Sequence, residues 1–179
     1  MKDGKSAIRW VRRHAYKLGI DPNKLAAGGG STGGQIAAAA GTTKLLNENG
    51  EDLSISSRPD ALVLLNPVID NGPNGYGHER VKKYWKEFSP IHNLDKLTPP
   101  TIILLGTEDK LIPIETAKEF KGNMEENGVR CDLSLYKGQS HGFFNKNLYY
   151  ETLFEIDKFL VSIGYLDISE NQNFSSNNF

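Results

Sequence analysis

Gly29-Gly30-Ser31-Thr32-Gly33 follows the short apolar run Leu25-Ala26-Ala27 and leads into Gln35-Ile36-Ala37-Ala38-Ala39-Ala40. The stretch reads as strand, sharp turn and helix, with a serine at the apex. The backbone of such a turn is strained, and glycine on both sides of the serine removes Cβ atoms that would clash. The pattern is G-x-S-x-G, which lifts the serine above the end of a strand and beside a helix N-terminus.

Outward from this turn, strands and helices alternate. Ile8, Val11, Ala15 and Leu18 recur at helical spacing, with Arg9, Arg12, Arg13 and Lys17 mostly off that face, so residues 5–18 predict an amphipathic helix ended by Gly19. Lys24–Gly29 reads as a short buried strand. Thr32–Ala40 reads as a helix of very small residues, able to pack closely on a sheet. Residues 41–58 are polar, with a loop tip at 47–52. Ala61–Leu65 is a second strand, closed by Asn66-Pro67. Residues 68–97 form an irregular, lid-like insert that carries Tyr76, Tyr84, Trp85 and Phe88, with a short helix over Glu79–Lys86.

Thr101–Leu105 is apolar throughout, as a strand buried on both faces should be. A helix over Ile114–Asn127, a fourth strand over Cys131–Tyr136 and a closing helix over Leu148–Ile163 complete the series. That last helix has Leu153, Ile156, Leu160 and Ile163 on one face. Residues 1–168 read as one domain, and the Asn- and Ser-rich residues 169–179 as a disordered tail. The alternation implies an α/β fold of about four parallel strands flanked by helices. Ligands in such sheets bind at the carboxyl ends of the strands. Ser31, Gly106-Thr107-Glu108-Asp109 and Ser140-His141-Gly142 all fall just beyond those ends.

The chain has 179 residues, enough for one core, and a net charge of −1 with Lys and Arg scattered along it, which argues against a nucleic-acid partner. Cys131 is the only cysteine, so neither an intrachain disulfide nor a Cys-based zinc site is available, and it reads as a small buried hydrophobe. No pair among His14, His78, His92 and His141 has metal-ligand spacing, so no metal is expected. His14 reads as solvated among arginines, and His78 and His92 lie in the insert. No apolar run approaches the ~18 residues of a membrane span. The first residues lack the apolar core of a secretory signal, which leaves the compartment open.

A serine hydroxyl is a poor nucleophile at neutral pH and needs a base held by an orienting acid. The chain supplies Ser31, then Asp109, then His141. Taken singly, Asp109 reads equally as a turn or capping carboxylate and His141 as a loop histidine. Glu108 is the fallback acid, and Asp70 has no assignable role. A rival reading exists for the glycine-rich turn, because Gly28-Gly29-Gly30-Ser31-Thr32-Gly33 also fits the dinucleotide pattern G-x-G-x-x-G. That pattern needs an acid closing the next strand, where Asn66-Pro67 stands. A P-loop fails, since Gly34 and Gln35 occupy the Lys and Ser/Thr positions.

The stretches GGSTGGQIAAAA (29–40), LLGTEDKLIP (104–113) and YKGQSHGFFN (136–145) resemble the α/β-hydrolase esterase and lipase family. The likeness is to its acetyl-esterase and hormone-sensitive-lipase-like branch. The resemblance implies a serine carboxylic-ester hydrolase acting through an acyl-serine intermediate on a small or acetylated ester, and it implies no cofactor. Ser31 would be the nucleophile, His141 the base and Asp109 its orienting acid. The Thr32 backbone N–H would be one oxyanion donor. The likeness covers only the C-terminal part of the family's fold. The second donor, carried on an HGGG-type loop, is missing, and no His-Gly-Gly run occurs. A truncated, weak or inactive hydrolase is therefore expected. The alternatives are a non-catalytic remnant that needs a complementing N-terminal segment and, less favoured, a nucleotide-binding module. Tyr76 and Phe88 are candidate substrate contacts. The first strand would have an open edge that invites self-association.

Overall fold

The computed structural model describes residues 1–167, so the expected tail at 169–179 lies outside the described residues. Four strands form one parallel sheet in the order β1-β2-β3-β4. They are β1 (Ala26–Gly30), β2 (Ala61–Leu65), β3 (Thr101–Gly106) and β4 (Cys131–Tyr136). The registers Gly30↔Leu65, Leu65↔Leu104 and Gly106↔Tyr136 bring their carboxyl ends to one rim. β3 is buried at every position, as its unbroken apolar run requires.

Helices α1 (Lys2–Arg13), α2 (Ala15–Leu18), α3 (Thr32–Thr42), α4 (His78–Val81), α5 (Trp85–Phe88), α6 (Ile114–Glu126) and α7 (Tyr149–Ser162) complete the described chain. By its internal contacts the chain divides into two units, Met1–Gly142 and a second that begins at Phe143. The sheet and its core belong to the first. Leu62, Leu64, Ile103, Leu105, Phe120 and Met124 form the centre of that core. α3 packs on β1 and β2, and its small residues permit close approach: a Cβ added at Gly34 would lie 2.8 Å from the Gly29 carbonyl oxygen. In the second unit, α7 buries Thr152 and Phe159.

Several expectations need correction. The first strand begins at Ala26 rather than Lys24 and is not buried, with Ala26 and Gly28 exposed at the sheet edge. The helix over 5–18 is broken at His14 into α1 and α2, and its buried positions are Lys5, Arg9 and Ala15, while Leu18 is exposed. The cationic ends explain this. Lys5 Nζ donates to the carbonyls of Thr43, Lys44 and Leu45 at 3.1, 3.5 and 2.7 Å. Arg9 reaches the Ile55 carbonyl, Glu51 and Asn47, and Arg12 reaches the Ser56 and Arg58 carbonyls and Asp60. Nor is His14 a free solvated ring, since it stacks on Trp10 at 4.4 Å.

The insert is also more regular than its composition suggests. Buried Asn71 accepts from Gln35 Nε2 and donates through Nδ2 to the Tyr76 carbonyl, and its backbone N–H donates to Ser89 Oγ. The expected helix over Glu79–Lys86 is two separate turns, α4 and α5.

Candidate active site

The segment just beyond each of the four strands supplies one residue of a polar cluster. Beyond β1, Ser31 takes φ 54° and ψ −118°, a conformation costly for any residue with a Cβ. Its surroundings hold it there. The Ser31 N–H donates to the Leu65 carbonyl at 2.9 Å, and the Ser31 carbonyl accepts from the Gln35 N–H at 3.0 Å as α3 begins. The flanking glycines leave room for this turn. A Cβ at Gly29 would meet the Gly33 backbone at 2.8 Å.

Beyond β4 lies His141. Its Nε2 is 2.9 Å from Ser31 Oγ and its Nδ1 is 2.7 Å from Asp109 Oδ2. The serine, the imidazole and the carboxylate are thus brought together across 110 residues of sequence. The His141 side chain is partly open to solvent, whereas the Asp109 side chain is 1% exposed. Close packing positions the histidine loop, because a Cβ at Gly106 would sit 2.2 Å from the Gln139 carbonyl oxygen.

Burial alone would push the Asp109 carboxyl up. Hydrogen bonds from His141, the Leu111 N–H, Asn66 and the Ile112 N–H outweigh it and hold the group below its ordinary value of 3.8. The acid therefore stays ionised against the imidazole. Glu108, the fallback acid, is exposed.

Thr32 is the first residue of α3, with Ser31 at the N-cap, so its N–H has no acceptor within the helix; the residue is exposed. Chemically, the arrangement offers a hydroxyl, a base that can take its proton, a fixed anion behind that base and, at Thr32, a backbone N–H with no acceptor in its helix. The described residues contain no group of three or more His, Cys, Asp or Glu able to hold a metal. No described helix is long and apolar enough to cross a membrane.

The aromatic candidates separate. Tyr76 lines a hollow of about 100 Å³ with Asp70, Leu111 and Ile112, next to the turn that holds Asp109. Phe88 and Tyr84 line a different hollow of about 430 Å³ with Met1, Lys2, Asp3, Leu46 and Glu48, and no member of the Ser31 cluster borders it. Asp70 accepts from the Gly72 N–H and lies 3.7 Å from His92 Nδ1. His92 also bonds Ser89 Oγ, and His78 bonds the Asn71 carbonyl, so both rings have structural partners inside the insert.

One member of the cluster has no motif to announce it. Asn66, beyond β2, is fully buried, takes φ 44° and donates through Nδ2 to Asp109 Oδ2. In sequence it is only the polar residue that closes a strand before a proline.

Known proteins resemble this chain in sequence and in fold. The sequence profile of the dienelactone hydrolase family matches residues 75–165, and that of the BD-FAE family matches residues 1–74. Esterase 2 of Thermogutta terrifontis, phosphoramylated by tabun, superposes with a TM-score of 0.87 at 42% identity, over 93% of this chain and 65% of that one. Its butyrate-bound form gives a TM-score of 0.86 at 40% identity, over 93% and 66%. A probable isoprenylcysteine alpha-carbonyl methylesterase of Arabidopsis thaliana is 28% identical over 165 residues, 79% of this chain and 35% of that protein. An acetylxylan esterase of Xylanibacter ruminicola is 25% identical over 156 residues, 79% of this chain and 30% of that protein. The chain spans about a third of the length of these curated relatives. It is a member of the dienelactone hydrolase family among the α/β-hydrolase esterases and spans part of their full fold.

Proposed function

We propose that this chain carries the serine machinery of a carboxylic-ester hydrolase that acts through an acyl-serine intermediate on short-chain or acetylated esters. The supporting observation is the pair of contacts that flank His141, 2.9 Å to Ser31 Oγ and 2.7 Å to Asp109 Oδ2. Ser31 Oγ attacks the ester carbonyl while its proton passes to His141 Nε2. The charge that forms on the imidazole faces the buried Asp109 carboxylate. The carbonyl oxygen becomes an oxyanion held by the Thr32 N–H. The C–O bond to the alcohol then breaks, and the alcohol leaves with the proton from His141. Water repeats the sequence on the acyl-serine, giving the acid and restoring the hydroxyl.

The short acyl group is argued from the relatives. One solved neighbour is described with bound propionate and another with bound butyrate, and a curated relative is an acetylxylan esterase. A second reading, a remnant that needs a complementing segment, draws on the sequence, in which no His-Gly-Gly run supplies a second donor beside Thr32. Losing one of two oxyanion donors costs roughly 10²–10³ in rate.

The test is labelling by a fluorophosphonate together with hydrolysis of p-nitrophenyl acetate and butyrate by the folded chain. The expected result is label on Ser31 and hydrolysis that Ser31→Ala abolishes. Label without hydrolysis favours the remnant. Hydrolysis that survives in Ser31→Ala, or a folded chain whose Ser31 takes no label, sinks the serine mechanism.

A further inference from the structure

We infer that Asn66 is a positioning residue for Asp109, and through it for His141. This rests on the serine-hydrolase reading above. A carboxylate has about four acceptor sites, and here all four are used. Oδ1 accepts from the Leu111 and Ile112 N–H groups at 2.8 and 3.1 Å. Oδ2 accepts from His141 Nδ1 at 2.7 Å and from Asn66 Nδ2. The backbone pair comes from Asp109's own turn and holds one oxygen. Asn66 holds the other, the oxygen that faces the imidazole, from a different strand end. With both oxygens pinned, the carboxylate cannot turn about its own bond away from His141.

Two features of Asn66 have no packing explanation. Its backbone is left-handed at φ 44°, where asparagine is tolerated but still at a cost. Its side chain is fully buried, yet among the described residues Oδ1 meets no hydrogen-bond donor, which is unfavourable for a buried amide. Turning the amide over would not help, because it would set that oxygen against Asp109 Oδ2 with no proton between them. The amide is therefore oriented by Asp109, at the expense of its own other end. Its backbone N–H donates to the Leu104 carbonyl at 2.8 Å, which extends the β2–β3 pairing to the residue itself and aims the side chain.

The donor is also neutral. Around the carboxylate, the loop after β4 supplies His141, the loop after β2 supplies Asn66, and the flanking Glu108 and Lys110 are exposed. A neutral donor fixes Asp109 without cancelling the negative charge that the imidazolium needs.

The unaltered chain supplies the first readout. In proton–nitrogen spectra, one Asn66 carboxamide proton should exchange slowly with solvent and move as Asp109 titrates. Asn66→Gly keeps the left-handed backbone accessible and removes the donor. In that variant the Asp109 carboxyl carbon should titrate higher by on the order of one pH unit. Fluorophosphonate labelling of Ser31 should slow about tenfold. Asn66 protons that exchange freely and ignore Asp109 overturn the inference, and so does an Asp109 midpoint equal in both chains. Both spectra need no turnover. A parent chain whose Ser31 stays unlabelled removes the functional reading and leaves the Asn66 readouts decisive.

Discussion

Ser31, Asn66, Asp109 and His141 are single residues on four different strand ends, and the tolerances between them are small. Gly106 illustrates this. A methyl group there would lie 2.2 Å from the Gln139 carbonyl oxygen and 3.1 Å from that of Ser140, both backbone atoms immediately before His141. Gly106→Ala should therefore displace the histidine loop. Overpacking of this kind costs about 1–3 kcal/mol, read as a lower urea midpoint, and labelling of Ser31 should fall at least tenfold. Unchanged labelling in the folded variant would mean that the loop yields freely. Asp109 gives a second prediction. Its folded-state acidity is lowered, so it contributes stability above the ordinary value of 3.8, and that contribution is lost as pH falls through the folded value. Asp109→Asn should flatten the acid end of the stability curve below about pH 4, measured as the difference in urea midpoint between the two chains. Parallel curves would rule this out. The residues visible in sequence were those whose identity is set by chemistry or by backbone. Ser31 sits between glycines, and Asp109 and His141 follow strands in the order the chemistry needs. Asn66 was not visible, because its role is one contact with a residue 43 positions away and its left-handed backbone leaves no mark on the pattern.

Among the elements, α1 diverges most from its sequence pattern, for a physical reason. Periodicity scores side chains as apolar or charged, but Lys and Arg bury aliphatic stems and need partners only at their tips. Lys5, Arg9 and Arg12 follow helical spacing and find those tips' partners in residues 43–60, in the segment between α3 and β2. Burial and the charges of Arg9 and Arg58 push the Lys5 ammonium down to about 8, with Glu51 acting against them. Lys5→Met keeps the stem but leaves the Thr43, Lys44 and Leu45 carbonyls without this donor. A loss of about 1–3 kcal/mol is expected from urea unfolding, and a neutral result would mean that water replaces the ammonium. The strands were legible because an apolar run such as 101–105 has one stable place, the middle of a parallel sheet. β4 adds a chemical check. Burial pushes the Cys131 thiol up to about 12, so alkylation by iodoacetamide should be very slow in the folded chain and proceed normally once urea unfolds it. Rapid labelling in the native state would contradict the burial of that strand end.

At the scale of the whole molecule, the sheet that assembles the site also sets its hazard. Order β1-β2-β3-β4 puts the serine-bearing strand at an edge, hydrogen-bonded along one side to β2. Edge strands in stable monomers are guarded by charge, proline or a bulge. β1 is Ala-Ala-Gly-Gly-Gly, and Ala26 and Gly28 are exposed. The glycines are required by the elbow and by Val63, whose carbonyl oxygen a Cβ at Gly28 would approach to 2.6 Å. The sequence that allows Ser31 its strained turn thus leaves its strand without side chains to shield the outer backbone. An edge this exposed predicts that two copies of this chain associate through it. Sedimentation over a hundredfold range of concentration should detect a reversible larger species. Ala26→Lys puts a charge on the edge at an exposed position and should shift the chain toward monomer by about tenfold in dissociation constant, while labelling of Ser31 stays unchanged. A parent chain that sediments as a monomer throughout would show that the twist or the surroundings of β1 already protect it. Association undiminished by Ala26→Lys would place the contact elsewhere on the surface.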